Sequence, residues 1–141
     1  DNMNILVIDA QGGGIGRQLV AKLLERIPEV DIVAAGTNSM ATNAMIKAGA
    51  KKAATGENAI RYCASQAEII TGPIGILVAN AMLGEISPAI AESVGSSTAP
   101  KVLIPTAHCN TIIAGTKALP VKDSIEDAVE RIVRIYGGDD N

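Results

Sequence analysis

The sequence predicts a three-layer α/β domain: a mostly parallel sheet of about five to six strands with helices on both faces. Three observations predict it. Short apolar runs alternate with helical patterns from end to end, the rhythm of a parallel sheet covered on both sides. The 141 residues, 48% of them apolar with a mean hydropathy of +0.26, suffice for one domain (1–141) with a full core. Glycine-rich polar clusters follow the apolar runs directly, where the strand-to-helix turns of such a sheet gather at one edge.

The elements follow in order. Ile5–Ile8 is the first strand, and Ile15, Leu19, Leu23, Leu24 and Ile27 recur at helical spacing until Pro28 stops the helix. Val30–Ala35 reads as the second strand. The second helix starts near Asn38 or Ser39, buries Ala41, Ala44, Met45 and Ala48, and meets Gly49 where a left-handed cap would sit. Ala50–Ala54 is a third strand, and a short helix carries Ala59, Ile60 and Cys63. Glu68–Thr71 is the fourth strand. Ile74–Leu83 fits helix or strand, because a short continuous apolar run satisfies both. Ser87 before Pro88 is an N-cap with proline in the first turn, and Ile86, Ile90 and Val94 share a face. Lys101–Ile104 is a fifth strand and Thr111–Ala114 a short sixth. In the last helix Asp123 and Glu126 form a capping box, and Ile125, Ala128, Val129, Ile132, Val133 and Tyr136 line one stripe up to Gly137. Residues 137–141 form a tail expected to be mobile.

Composition excludes several partners. A net charge of −3, a pI near 5.1 and no basic run longer than Lys51-Lys52 leave no footprint for a polyanion, and Tyr62 and Tyr136 are the only aromatic residues, so no base-stacking platform exists. Nucleic acid is therefore not an expected partner. Nor is a membrane: Ile74–Leu83, the longest apolar stretch, contains Gly75 and Asn80 and is far short of the roughly 20 residues of a span. With no signal-peptide pattern at the start, a cytoplasmic protein is expected. Cys63 and Cys109 lack the spacing of a zinc site or disulfide framework.

The most informative stretch is Asp9–Gly16, Asp-Ala-Gln-Gly-Gly-Gly-Ile-Gly, between a buried strand and a helix. Glycines bring backbone N–H groups close to a ligand, and the helix that follows aims its free amides and positive dipole end at the same spot. A phosphate is the expected cargo, in a Rossmann-like site. Further polar clusters end the other strands: Gly36, Thr37, Asn38 and Ser39; Thr55–Asn58; Gly72 and Pro73; and Thr106–Asn110. The expected ligand-binding set is Asp9, Gln11, Gly12, Gly13, Gly14, Ile15, Gly16, Gly36, Thr37, Asn38, Ser39, Gly72, Pro73 and Asn110. The dinucleotide pattern G-x-G-x-x-G is not met, since the sixth position is Arg17, and no carboxylate ends the second strand. NAD is disfavoured among the nucleotides and dinucleotides that such a loop accepts.

Four residues are candidates for catalysis. Asp9 beside phosphate oxygens would call for a bridging cation, and Mg²⁺ is the natural one; otherwise it accepts loop N–H groups and shapes the turn. No metal ligand beyond Asp9 is indicated. Glu57 stands at a helix start on the same edge. His108 and Cys109 combine a base and a thiol, but adjacent side chains diverge and rarely cooperate.

Gly14-Ile15-Gly16 is similar to the end of the G-x-x-x-G-x-G turn of short-chain dehydrogenases, with Ala10 where the first glycine stands. Their Tyr-x-x-x-Lys is missing, because Tyr62 is followed four residues on by Gln66 and Tyr136 by Asp140. A likeness to the first loop of tubulin-like GTPases lacks their later phosphate loop, and Gln11 stands where haloacid dehalogenases carry a second Asp. From Met3 to about Val133 the chain resembles an uncharacterised bacterial family, domain of unknown function 3842, through Asp9–Gly16, Gly36-Thr37-Asn38, Ala54–Ile60, Gly72–Ile76 and Cys109-Asn110. That resemblance implies domain boundaries and no chemistry. The leading expectation is a binder of a nucleotide or phosphorylated small molecule at the glycine loop. The alternatives are a metal-assisted phosphoryl or nucleotidyl enzyme using Asp9 with Glu57, and a non-catalytic homodimer that associates through Ile74–Leu83.

Overall fold

The computed structural model describes residues 4–106 and 110–138. Strands and helices alternate: β1 (Asn4–Asp9), α1 (Gly14–Arg26), β2 (Asp31–Gly36), α2 (Ser39–Lys47), β3 (Lys52–Thr55), α3 (Glu57–Gln66), β4 (Ile69–Pro73), α4 (Pro88–Ser96), β5 (Lys101–Ile104) and α5 (Val121–Tyr136). Every ladder is parallel, and the sheet order is β3-β2-β1-β4-β5. The chain steps outward from β1 through β2 to β3, then crosses back to place β4 on the other side of β1. The order thus reverses between β1 and β4, the switch point at which open α/β sheets of Rossmann type open a crevice.

Side-chain alternation along β1 builds both halves of the core. Ile5 and Val7 meet Leu19, Leu23, Met45, Ile125, Val129 and Ile132 of α1, α2 and α5. Leu6 and Ile8 meet Ile60, Ala64, Ile90 and Val94 of α3 and α4. With no Phe or Trp in the chain, Ile, Leu, Val, Met and Ala fill both layers, and all five residues Ile5–Asp9 are buried, as a central parallel strand requires.

Local chemistry sets the helix ends. Asn38 caps α2 through its Oδ1, which accepts from Ala41 N at 2.9 Å, and Gly49 behind the helix has φ +124°. Ser87 Oγ accepts from Ile90 N at 3.2 Å with Pro88 in the first turn of α4.

The structure departs from the sequence reading in four places. Ile74–Leu83 is neither a continuous helix nor a strand: Ile74–Leu77 is a 3-10 helix, and turns follow it up to α4, where Asn80, Met82 and Leu83 have φ of 68°, 57° and 58°. The segment is chiefly core, with Ile76 and Ala81 buried and Leu77 and Leu83 left at the surface. Thr111–Ala114 forms no strand, since β5 is the sheet edge and no sixth strand pairs with it among the described residues; a turn closes there instead, Thr116 Oγ1 donating to Ile113 O at 2.6 Å. β3 and β4 begin one or two residues later than the apolar pattern suggests. Finally, α5 starts at Val121, ahead of the Asp123–Glu126 pair, because the Pro120 carbonyl already takes Asp123 N (3.0 Å) and Ser124 N (3.1 Å). Asp123 therefore sits in the first turn, where its charge suits the helix dipole. His108, Cys109 and residues 139–141 of the tail lie outside the described residues.

Candidate functional site

Asp9 ends β1 on the same face as Ile5 and Val7, which aims its side chain at the start of α1. It is 4% exposed. Its Oδ2 accepts from Gly16 N and its Oδ1 from Ala10 N, each at 2.7 Å. The carboxylate so supplies the acceptor that α1 lacks, since its N-cap, Gly13, has no side chain. Burial pushes the Asp9 carboxyl above the ordinary range; the Gly16 and Ala10 amides oppose this, and the charge of Glu85 adds to it.

The approach of Asp9 explains Gly16, where a Cβ would lie 2.9 Å from Asp9 Cβ and 2.7 Å from Met45 Sδ. Gly13 combines φ +72° with a Cβ position 2.9 Å from Ala41 Cα, so α1 and α2 touch through it. Gly12 and Gly14 differ: both are exposed, neither has a left-handed φ, and a Cβ on either would meet nothing within 4 Å. Fold and packing do not demand glycine there, and no hydrogen bond among the described residues uses either N–H.

A second carboxylate meets the loop from the far side of the chain. Glu85, on the turns before α4, accepts at one oxygen, Oε1, from Gln11 N (2.9 Å), Thr37 Oγ1 (2.6 Å) and Asn38 Nδ2 (2.9 Å). Asn38 Nδ2 also donates to Gln11 O at 3.0 Å, which holds Gln11 at φ 52°. Partial burial disfavours the ionised Glu85, but the Thr37, Gln11 and Asn38 donors outweigh it and hold the carboxyl below the ordinary range. Glu85 was not among the residues expected at the site. Its signal in the sequence is that it is the only charged residue between Glu68 and Glu92.

Two recesses flank the glycine loop. One of about 180 Å³ lies at the switch point and is lined by Asp9–Ile15, Pro73, Met82 and Thr106. The other, about 500 Å³ and shallower, is lined by Gly12, Arg17, Ser39, Met40, Asn43, Ala44 and Lys47. Gly12 borders both. Of the remaining expected residues, Gly36 accepts Gly56 N at 2.9 Å and closes on Thr42, while Gly72 packs its backbone against Ile8 O. Glu57 accepts from Ser87 Oγ at the start of α3, and Asn110 stands exposed; neither lines a recess beside the loop. Among the described residues no group of three or more His, Cys, Asp or Glu could hold a metal. A larger recess, about 730 Å³, lies between β5, α5 and residues 113–119, away from the glycine loop.

Residues 4–137 match the model of the family described as "Domain of unknown function (DUF3842)", and the chain belongs to that family. No curated protein matches it. Among solved structures it is similar to the dodecameric FMN-dependent UbiX-like decarboxylase from Escherichia coli O157:H7, with 16% identity, a TM-score of 0.51, and 96% of this chain and 95% of that chain covered. It is also similar to apo saccharopine dehydrogenase (L-Glu forming) from Saccharomyces cerevisiae, with 14% identity and a TM-score of 0.47; 90% of this chain is covered but it spans only 24% of that one. A third likeness is to a universal stress protein in complex with cAMP, with 13% identity and a TM-score of 0.42 over 74% of this chain and 98% of that chain. The decarboxylase likeness shows the α/β fold that the sheet order already gives.

Proposed function

We propose that this member of the DUF3842 family binds a nucleotide or phosphorylated small molecule on the glycine loop after β1. The observation that carries the reading is the pair Gly12 and Gly14. They stand at the switch point of the sheet, beside the 180 Å³ recess, with backbone N–H groups that the described residues leave unused and glycines that the fold does not need. A phosphate oxygen is the acceptor that such amides at a helix start take. Asp9 favours binding over metal-assisted chemistry, because both its oxygens are engaged by main-chain amides. The reading places the protein in the cytoplasm; among the described residues no helix is long and apolar enough to cross a membrane.

The test is a thermal-shift panel of NAD, NADP, ATP, GTP, AMP, FMN and sugar phosphates, with and without Mg²⁺, on wild type and Gly14→Asp. Open space at Gly14 lets the aspartate fold, while its charge repels phosphate. A rise of several degrees in wild type alone supports the reading, since a ligand that binds only the folded state stabilises it by mass action. No shift for any compound in a folded wild type contradicts it. Hydrolysis of a panel compound only with Mg²⁺ would favour the enzyme reading instead.

Self-association into a homodimer is the second reading. The Ile74–Leu83 patch it began from is largely core, but Ile112, Ile113, Leu119 and Val121 are exposed, and Ile113 and Leu119 line a recess with Lys101, Val102 and Leu103 of β5. A solution mass of one chain would remove it.

A further inference from the structure

Three donors from two loops converge on one oxygen of Glu85: the Gln11 amide after β1, and the Thr37 hydroxyl and Asn38 side-chain amide after β2. We infer that these donors form an oxyanion cradle in which Glu85 is a built-in occupant, displaced by an anionic oxygen of the phosphorylated ligand. The inference rests on the binding proposed above and adds where a second part of that ligand sits and what it must move.

Convergence is the first argument. A hydroxyl, a primary amide and a backbone N–H at 2.6–2.9 Å from a single oxygen satisfy an anionic acceptor, and a carboxylate oxygen shows the geometry at work. The donors stand level at the sheet edge: Asp9 pairs with Gly36 in the β1–β2 register, and Thr37 N donates to Asp9 O at 3.1 Å. The cradle is therefore continuous with the glycine loop through Gln11 and Gly12.

Space is the second argument. The recess at the switch point holds about 180 Å³, whereas pockets for cofactor-sized ligands run to about 300–1,000 Å³. Met82, three residues before Glu85, forms part of its wall. Moving Met82–Glu85 away, with Ala81 left in the core, would empty the cradle and enlarge the recess together.

The turn that carries Glu85 is held by the buried Ala81 at one end and Ile86 at the other, with Leu83 and Gly84 exposed between them. Asn80, Met82 and Leu83 all hold left-handed φ values that L side chains seldom adopt, and Leu83 is 98% exposed, with no packing to keep it down. Glu85 is its polar anchor to the β1 and β2 loops. An incoming phosphate would meet the Glu85 charge as a competitor for the same donors.

The test is titration calorimetry of AMP and of inorganic phosphate into wild type, Glu85→Ala, Glu85→Ala/Thr37→Val and Gly14→Asp at one pH and ionic strength. With the occupant gone, a ligand no longer has to displace it, and Glu85→Ala binds AMP about tenfold tighter than wild type. Thr37→Val in that background removes a cradle donor and reverses most of the gain, and Gly14→Asp abolishes binding. Should Glu85→Ala not fold, Glu85→Gln, which keeps the shape and removes the charge, gives a smaller gain of the same sign. A folded Glu85→Ala or Glu85→Gln that binds AMP no tighter than wild type overturns the cradle. If wild type then still binds AMP and Gly14→Asp does not, the glycine-loop reading stands without it; if no variant binds AMP or phosphate, both fall.

Discussion

The carboxylate of Glu85 accepts the backbone N–H of Gln11 at 2.9 Å, across 74 positions of sequence. With the Thr37 and Asn38 donors on the same oxygen, it ties the turns before α4 to the loops after β1 and β2. Removing an ionised acceptor leaves three donors to find water, so Glu85→Ala should lower the unfolding free energy by about 1–3 kcal/mol at pH 7. Denaturant unfolding measures it. The folded carboxyl is held below its ordinary range, so its stabilising contribution is complete above that range and is lost as pH falls through the lowered value. The gap between wild type and Glu85→Gln should therefore close under acid conditions; a gap that stays constant with pH would mean the charge does not matter.

Asp9 runs the opposite way. Burial raises its folded carboxyl above the ordinary aspartate value of about 3.9, so the folded state holds its proton more tightly than the unfolded one. Its contribution is greatest below the ordinary value and declines as pH rises through the raised folded one. Unfolding of wild type and Asp9→Asn across this range should show the wild-type advantage shrinking with rising pH, and an advantage that grows would contradict the assignment. Asp9→Ala, which strands the buried Gly16 and Ala10 amides, should cost about 1–3 kcal/mol under acid conditions and less as pH rises through the raised folded value.

The loop glycines separate into two kinds by measurement. Gly13→Ala must enter a left-handed conformation and press on the α2 backbone, which should cost about 1–2 kcal/mol from conformation alone and more from the clash. Gly12→Ala meets open space and should change stability by no more than about 0.5 kcal/mol. Equal losses at the two positions would show that Gly12 has a structural task.

Ile76 and Leu83 test the run that sequence pattern left ambiguous. Ile76 is fully buried beneath α4, so Ile76→Ala should cost about 2–5 kcal/mol, whereas Leu83→Ser, at a 98% exposed position, should stay within about 0.5 kcal/mol. A large loss at Leu83 would place it in an interface that a single chain does not show.

The contrast between those two residues explains what the sequence could disclose. Elements with a period and an end signal were legible: Leu19 and Leu23 before Pro28, Asn38 ahead of α2, and Ser87-Pro88 ahead of α4 all act as their chemistry requires. So was the sheet edge, because polar clusters after successive apolar runs must meet once the strands are parallel. Ile74–Leu83 was not legible, because its apolar residues serve a 3-10 turn and left-handed turns that no period describes. Thr111–Ala114 has strand composition but no partner strand among the described residues, and a strand exists only through its ladder. Glu85 escaped notice because its partners lie 47 to 74 positions away, so that only the folded chain brings them together.

Amide chemical-shift mapping during titration with AMP, by ¹⁵N–¹H spectra of the whole chain, tests ligand binding at the glycine loop most directly. The account predicts saturable shifts largest at Gly12, Gly14 and Ile15, with Gln11 and Thr37 following as Glu85 leaves its donors, and no such shifts in Gly14→Asp. Shifts confined to the recess between β5 and α5, around Ile113, Leu119 and Arg131, or no shifts for AMP or any other compound of the panel, would contradict it.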